Sequence, residues 1–219
     1  MRYATPGFSA WAPDTRLAEL VEEFAGFGYD TISFSTAQLK TLEPEETREA
    51  ASLIEDRDLA VTLHGNFEIT LADAESFIML FGARVYSFTC DPAMVSDSRG
   101  RFYDAGRMAA FLHEILRMSE GTALRVAIED FPLDQTALDY YSSDLAPLLA
   151  SPRYGILVDV GHLNLRLTGG GYFEGVGILD YMERSPLPVV EVHLHDNDGQ
   201  RDQHGHFGLG NISFAEVAS

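Results

Sequence analysis

The stretch from His193 to Phe214, "HLHDNDGQRDQHGHFGLGNISF", gathers four of the chain's seven histidines and three of its aspartates. A solvated loop needs polarity, but it does not need imidazoles. Imidazole and carboxylate together are the usual ligand set of Zn²⁺, Mn²⁺ and similar ions. Two readings therefore compete. One is a metal-dependent active site, and the other is a polar loop that happens to be histidine-rich. Arg201 is the lone arginine of the stretch, and Asp202 and His204 stand two residues apart just after it.

Something must position these groups, and the chain has one rhythm. Short β-rich runs alternate with helical patterns: strands at "RYATPGFSA", "DTISFST", "LAVTLHGNF", "RVYSFTC", "LRVAIEDF", "YGILVDVGHL" and "PVVEVHLHDN". Between them lie helices at "PDTRLAELVEEFAGFG", "EPEETREAASLIEDRD", "LADAESFIMLFGA", "DAGRMAAFLHEILRMSEG", "DYYSSDLAPLLAS" and "GILDYMERS", and "SFAEVAS" begins a seventh. In the first helix Leu17, Leu20, Val21, Phe24 and Phe27 recur at helical spacing, with Asp14 or Thr15 to cap its start and Gly28 its end. Pro44 sits near N1 of the second, followed by acidic residues that suit a helix N-terminus. Seven βα units in series predict a parallel sheet with right-handed crossovers. Runs such as "GILVDV" are apolar almost throughout, as when both faces are covered.

A doubly wound open sheet and a (β/α)₈ barrel both fit that rhythm; the polar residues favour the barrel. In the seventh strand Val190, Val192 and Leu194 share one face, while Glu191, His193 and His195 share the other. In the sixth, Ile156 and Val158 oppose Leu157 and Asp159; in the fifth, Val126 and Ile128 oppose Ala127 and Glu129. His64 stands at the end of the third. Four strands thus aim acids or imidazoles at one rim, as a barrel does around its mouth. An open sheet gathers such groups mainly at its switch point.

Composition bounds the function. A chain of 219 residues suits one domain (1–219) with a substantial core. Its formal net charge is −19, and Lys40 is the only lysine. Such a surface repels a phosphate backbone, which argues against a nucleic-acid partner. The single Cys90 excludes an intrachain disulfide framework and fits a reducing compartment. No apolar run is long enough to span a bilayer, and "MRYATPGFSAWAP" has no signal-peptide core. The expectation is a cytoplasmic protein without a membrane partner.

Four motifs in chain order carry a resemblance. "TLHGNF", "VAIED", "LVDVGH" and the opening stretch resemble the strand ends of the xylose-isomerase-like TIM-barrel superfamily, which holds sugar isomerases, epimerases and endonuclease IV enzymes. The likeness covers nearly the whole chain, with Asp130 where asparagine is usual. It implies a (β/α)₈ barrel and one divalent metal ion held by Glu129, Asp159, His193 and a glutamate on an eighth strand. There are two departures. The fourth-strand position where endonuclease IV members carry a histidine is Thr89 or Cys90. The sequence also stops before an eighth strand: either the natural chain is longer, which the missing helix stop signal in "ISFAEVAS" favours, or the barrel is incomplete at its C-terminal end, or a partner completes it. The metal is expected to be under-coordinated, or its site filled by water, buffer or a partner chain.

The set Glu129, Asp159 and His193 is mixed O,O,N, suiting Mn²⁺, Zn²⁺, Mg²⁺ or Co²⁺ and not a thiolate metal. The alternative is an internal hydrogen-bond network lining the barrel. His64 and His162 either meet substrate or a second metal, or serve as a rim histidine and a helix cap. Asp202 and His204 bind a metal or sugar hydroxyls, or are plain loop polarity. Arg201 holds an oxyanion or hydroxyl, or offsets local charge. His195 and His206 are less committed, His113 is read as solvated, and "GLG" is too short to be a phosphate cradle. The chemistry expected first is isomerisation or epimerisation of a sugar or related polyol, with Glu129 moving the proton through an ene-diolate. Metal-dependent phosphodiester hydrolysis and a non-catalytic, ligand-binding barrel are the alternatives. The expected partner is a small sugar-like molecule, and a homo-oligomer is compatible.

Overall fold

The computed structural model describes residues 15–65, 69–90, 104–129, 140–168 and 178–217. The strand expected at residues 2–10 lies outside them. The chain divides into two compact units, one of residues 1–95 and 110–126, the other of 96–109 and 127–219.

In the first unit the elements are α1 (Leu17–Gly26), β1 (Thr31–Ser35), α2 (Thr36–Leu39), α3 (Pro44–Asp56), β2 (Ala60–Gly65), α4 (Leu71–Phe81) and β3 (Val85–Cys90). The strands are parallel and ordered as in the chain, with Ser35 opposite His64 and His64 opposite Thr89. β1 and β2 are buried on both faces, and the stacked rings of Phe34 and Phe81 tie strand to helix. α1 buries Leu17, Leu20, Val21 and Phe24 as its spacing predicts. Phe27 does not join them: it is the C-cap residue, 68% exposed. Thr15 does not cap α1 either. Arg16 is the N-cap residue, and the Leu17 amide donates instead to Glu46 Oε1 on α3 (2.8 Å). Gly28 closes the helix at φ +88°, where a side chain would be strained. Thr70 and Asp73 form a reciprocal capping box at the start of α4.

α5 (Ala105–Met118) and β4 (Arg125–Glu129) follow, each with residues in both units. The second unit continues with β5 (Tyr154–Asp159), α6 (Val160–Thr168), α7 (Ile178–Arg184), β6 (Val189–His193) and α8 (Phe214–Val217). β4, β5 and β6 are adjacent in chain order. β5 and β6 are parallel, with Asp159 opposite His193. Every residue of β5 is buried, as its unbroken apolar run predicts. Gly155 lets the strands approach: a Cβ there would stand 2.2 Å from Val190 Cγ2 and 2.5 Å from the Pro188 carbonyl.

Three expectations fail in this unit. The strand expected over 188–197 ends at His193, so Leu194 and His195, assigned to its two faces, lie beyond it. "DYYSSDLAPLLAS" is not an α-helix but a π-helical turn (140–145) followed by a 3₁₀ turn (146–148). Pro147 withholds the amide that an α-helical ladder needs there, and Ser142, Ser143 and Asp144 are weak helix formers. The strand expected over 154–163 ends at Asp159, and Val160 already begins α6. Its cause is local. The Asp159 carboxylate accepts the His162 amide (2.9 Å), as a helix cap does.

Candidate metal centre

Asp159 ends a fully buried strand and is itself 1% exposed. A carboxylate so placed must be compensated. Its Oδ1 accepts the His162 backbone N–H and the His195 Nε2–H, each at 2.9 Å, while Oδ2 lies 3.8 Å from His193 Nδ1. Burial alone would push this carboxyl up. The His195 hydrogen bond, the nearby imidazoles of His162 and His195, and the His162 amide overcome it and hold the group well below the usual carboxylate range.

Glu129 ends β4 and is 6% exposed, with Oε1 3.2 Å from His162 Nδ1. His193, half-buried, completes the group. Its Nε2 lies 3.3 Å from Glu191 Oε1, because residues two apart share a strand face. Burial would lower its pKa. The Glu191 hydrogen bond and the charges of Glu191, Asp159 and Glu129 outweigh it and push the imidazole up to about 9.

Glu129, Asp159 and His193 each offer a ligand atom, and the three lie within 4.8 Å of one another. Two buried carboxylates converging this closely repel each other unless positive charge sits with them. The donor set is oxygen, oxygen and nitrogen on three strand ends. It fits a divalent cation of the Zn²⁺, Mn²⁺, Mg²⁺ or Co²⁺ kind.

A second group stands in the same unit: His162, His195, Asp202 and His204 also bring ligand atoms within 4.8 Å. Asp202 is its hub, with Oδ2 3.3 Å from His162 Nε2 and 3.1 Å from His204 Nε2, and Oδ1 3.7 Å from His195 Nε2. The rings of His195 and His204 stack at 4.0 Å. His64 belongs to neither group and lies near the end of β2 in the first unit. Arg201 is exposed, and its backbone N–H donates to Asp198 Oδ1 (3.2 Å). His206 and His113 are exposed as well. Thr89 and Cys90, at the end of β3, are buried.

Three residues matter more in the structure than their sequence context suggests. The sequence leaves His195 and His206 less committed than the other loop residues, yet His195 is buried and bonded to Asp159. Asp196 and Asn197 build the loop. The Asp196 carboxylate accepts the amides of Asn197, Gly208, Gly210 and Ile212, and its backbone pairs both ways with Gly205. Burial would raise the Asp196 pKa, but those amides, Gly210 first, hold it down. The "GLG" amides thus cradle an anion after all, the chain's own. Asn197 donates to the Gly161 carbonyl (2.9 Å) and accepts from Asn164 (2.7 Å), tying the loop to α6. A signal was present: Asp196 and Asn197 are two turn-forming residues at a strand exit, followed by glycines that free backbone amides.

No family model matches the chain. An uncharacterized protein of Methanocaldococcus jannaschii is 31% identical over 109 residues, which is 48% of this chain and 35% of that protein. The chain thus spans about a third of the length of this curated relative. Among solved structures, a D-tagatose 3-epimerase-like protein matches with TM-score 0.66 and 19% identity, over 100% of this chain and 85% of that one. A family 2 AP endonuclease from Brucella melitensis matches with TM-score 0.63 and 10% identity, over 100% and 87%. The fold is that of the xylose isomerase-like TIM barrels. Enzymes of different chemistry share it, so the fold alone does not choose the reaction. Among the described residues, no helix is long and apolar enough to cross a membrane.

Proposed function

We propose that the chain is the metal-binding part of a divalent-metal-dependent isomerase or epimerase acting on a sugar or related polyol. The observation that carries this reading is the convergence of Glu129, Asp159 and His193. A divalent ion held there would polarise a substrate carbonyl and acidify the adjacent C–H. Glu129 is the group to move that proton, since its buried carboxylate stands at the strand end with His162 Nδ1 3.2 Å from Oε1. His162 stands between Glu129 and the exposed Asp202, with Nδ1 on the Glu129 side and Nε2 3.3 Å from Asp202 Oδ2. Arg201 and His204 stand exposed beside Asp202, where substrate hydroxyls would be met. The epimerase-like solved structure supports this substrate class by analogy of fold.

A second reading is metal-dependent phosphodiester hydrolysis. The His162, His195, Asp202 and His204 group favours it, since a second ion would suit that chemistry. The net charge of −19 and the absence of a histidine at Thr89 or Cys90 count against it. Metal titration with turnover on a panel of sugars and on a phosphodiester substrate tests both. About one ion per chain, with epimer or isomer formation lost in His193→Ala, is the expected result. Two or more ions with phosphodiester cleavage would replace the reading.

A further inference from the structure

His195 is the buried histidine that the proposed ligand set leaves unused. Its ring is held from two sides. It stacks on His204 at 4.0 Å, and it fills the space above Gly161, where a Cβ would stand 1.9 Å from Cε1. No residue but glycine leaves room for it there.

The consequence falls on Asp159. Its Oδ1 already receives two donors, the His162 amide and His195 Nε2, each at 2.9 Å. Oδ2 is the oxygen on the His193 side. Meanwhile His195 Nδ1 is buried without a hydrogen-bond partner among the described residues. A proton on Nδ1 would be a desolvated donor with no acceptor, which is costlier than a lone pair in the same place. The ring's proton therefore belongs on Nε2, where Asp159 accepts it.

We propose that His195 is a positioning residue of the metal centre: seated over Gly161, it locks Asp159 so that Oδ2, and not Oδ1, is presented to a divalent cation. The inference rests on reading Glu129, Asp159 and His193 as metal ligands. A hydrogen-bonded neighbour that fixes a ligating carboxylate typically carries about 10- to 100-fold in metal affinity.

The experiment is Mn²⁺ titration, followed by the free-ion electron paramagnetic signal, in the wild-type chain, His193→Ala, His195→Ala, His195→Gln, Gly161→Ala and the double variant. Wild type should bind, and His193→Ala should not. His195→Ala should bind about 10- to 100-fold more weakly, and His195→Gln, which keeps an N–H at the Nε2 position, should recover most of that loss. Gly161→Ala should weaken binding in the wild-type background and add nothing to His195→Ala, because it acts by displacing the ring. Imidazole ¹⁵N spectra of the metal-free wild type, which need no variant, should show the Nε2-protonated tautomer at His195. An Nδ1-protonated ring, or His195→Ala binding as tightly as wild type while His193→Ala fails, would overturn the positioning role alone. Loss in His195→Ala as complete as in His193→Ala, without rescue by glutamine, would make His195 a direct ligand and also overturn it. A wild-type chain that binds no Mn²⁺ would overturn the ligand reading and this inference with it.

Discussion

The strand ends of the two units make different use of the same architecture. In the first unit, Ser35, His64 and Thr89 stand side by side in register, one imidazole between two hydroxyls. In the second, Asp159 and His193 are paired across β5 and β6, and Glu129 ends β4. The first unit places many of its charges on helix surfaces, where they pair: Arg57 with Glu22, Arg84 with Glu55 and Asp58, Lys40 with Asp73. The second buries its acids at the strand ends and satisfies them with imidazoles and amides. Surface pairs of the first kind contribute little each and tolerate change. Buried carboxylates of the second kind are costly unless a partner or ion offsets them. The lesson is that parallel strands supply the rim, while chemistry depends on which residues end them.

The comparison can be broken most sharply in the second unit. Asp159→Asn removes the charge at the centre of the group and should reduce divalent-metal affinity at least 100-fold, read by calorimetry. Undiminished affinity would mean that this rim is a hydrogen-bond network and nothing more. Asp196→Ala comes next. It strands four backbone amides and should cost about 3 kcal/mol in chemical denaturation, with faster amide exchange at Gly208, Gly210 and Ile212. Gly155→Ala forces a Cβ into Val190 and the Pro188 carbonyl and should cost about 2 kcal/mol. Unchanged stability there would show that β5 and β6 shift apart freely.

The smallest effects belong to the first unit. Asp73→Ala removes the capping box and should cost about 1 kcal/mol while leaving metal affinity as it was. The Asp73 carboxyl is held down to about 2, first by its hydrogen bond from Lys40 and then by the Thr70 amide. Its folded pKa is thus below its unfolded one. Its contribution is complete above about pH 4 and is lost as pH falls toward 2. Wild type and Asp73→Ala should therefore converge in stability on acidification. A gap that persists at pH 2 would show that the carboxylate charge is not what stabilises the cap.

Much of this was legible in the sequence. Alternation along "VAIED", "LVDV" and "VEVH" marked the strand faces, and Glu129, Asp159 and His193 followed as strand-end residues because period-two alternation is a local property. Residues 160–163 were misread because Asp159 both ends a strand and accepts the His162 amide, and an apolar run such as "VGHL" suits either element. The role of His195 was hidden for a different reason. It depends on a space above Gly161, distant in sequence, and on stacking against His204 across a loop. Asp196 shows only as a turn-forming residue before glycines, since three of its four amide partners lie 12 to 16 residues onward.

We read Glu129, Asp159 and His193 as the ligands of a divalent cation. Anomalous scattering from crystals of the wild-type chain grown with Mn²⁺ tests this most directly. A strong anomalous peak in direct ligand contact with Glu129, Asp159 Oδ2 and a ring nitrogen of His193 is expected. A Mn²⁺-saturated crystal with no peak among these three residues, or with its only peak elsewhere, would contradict it.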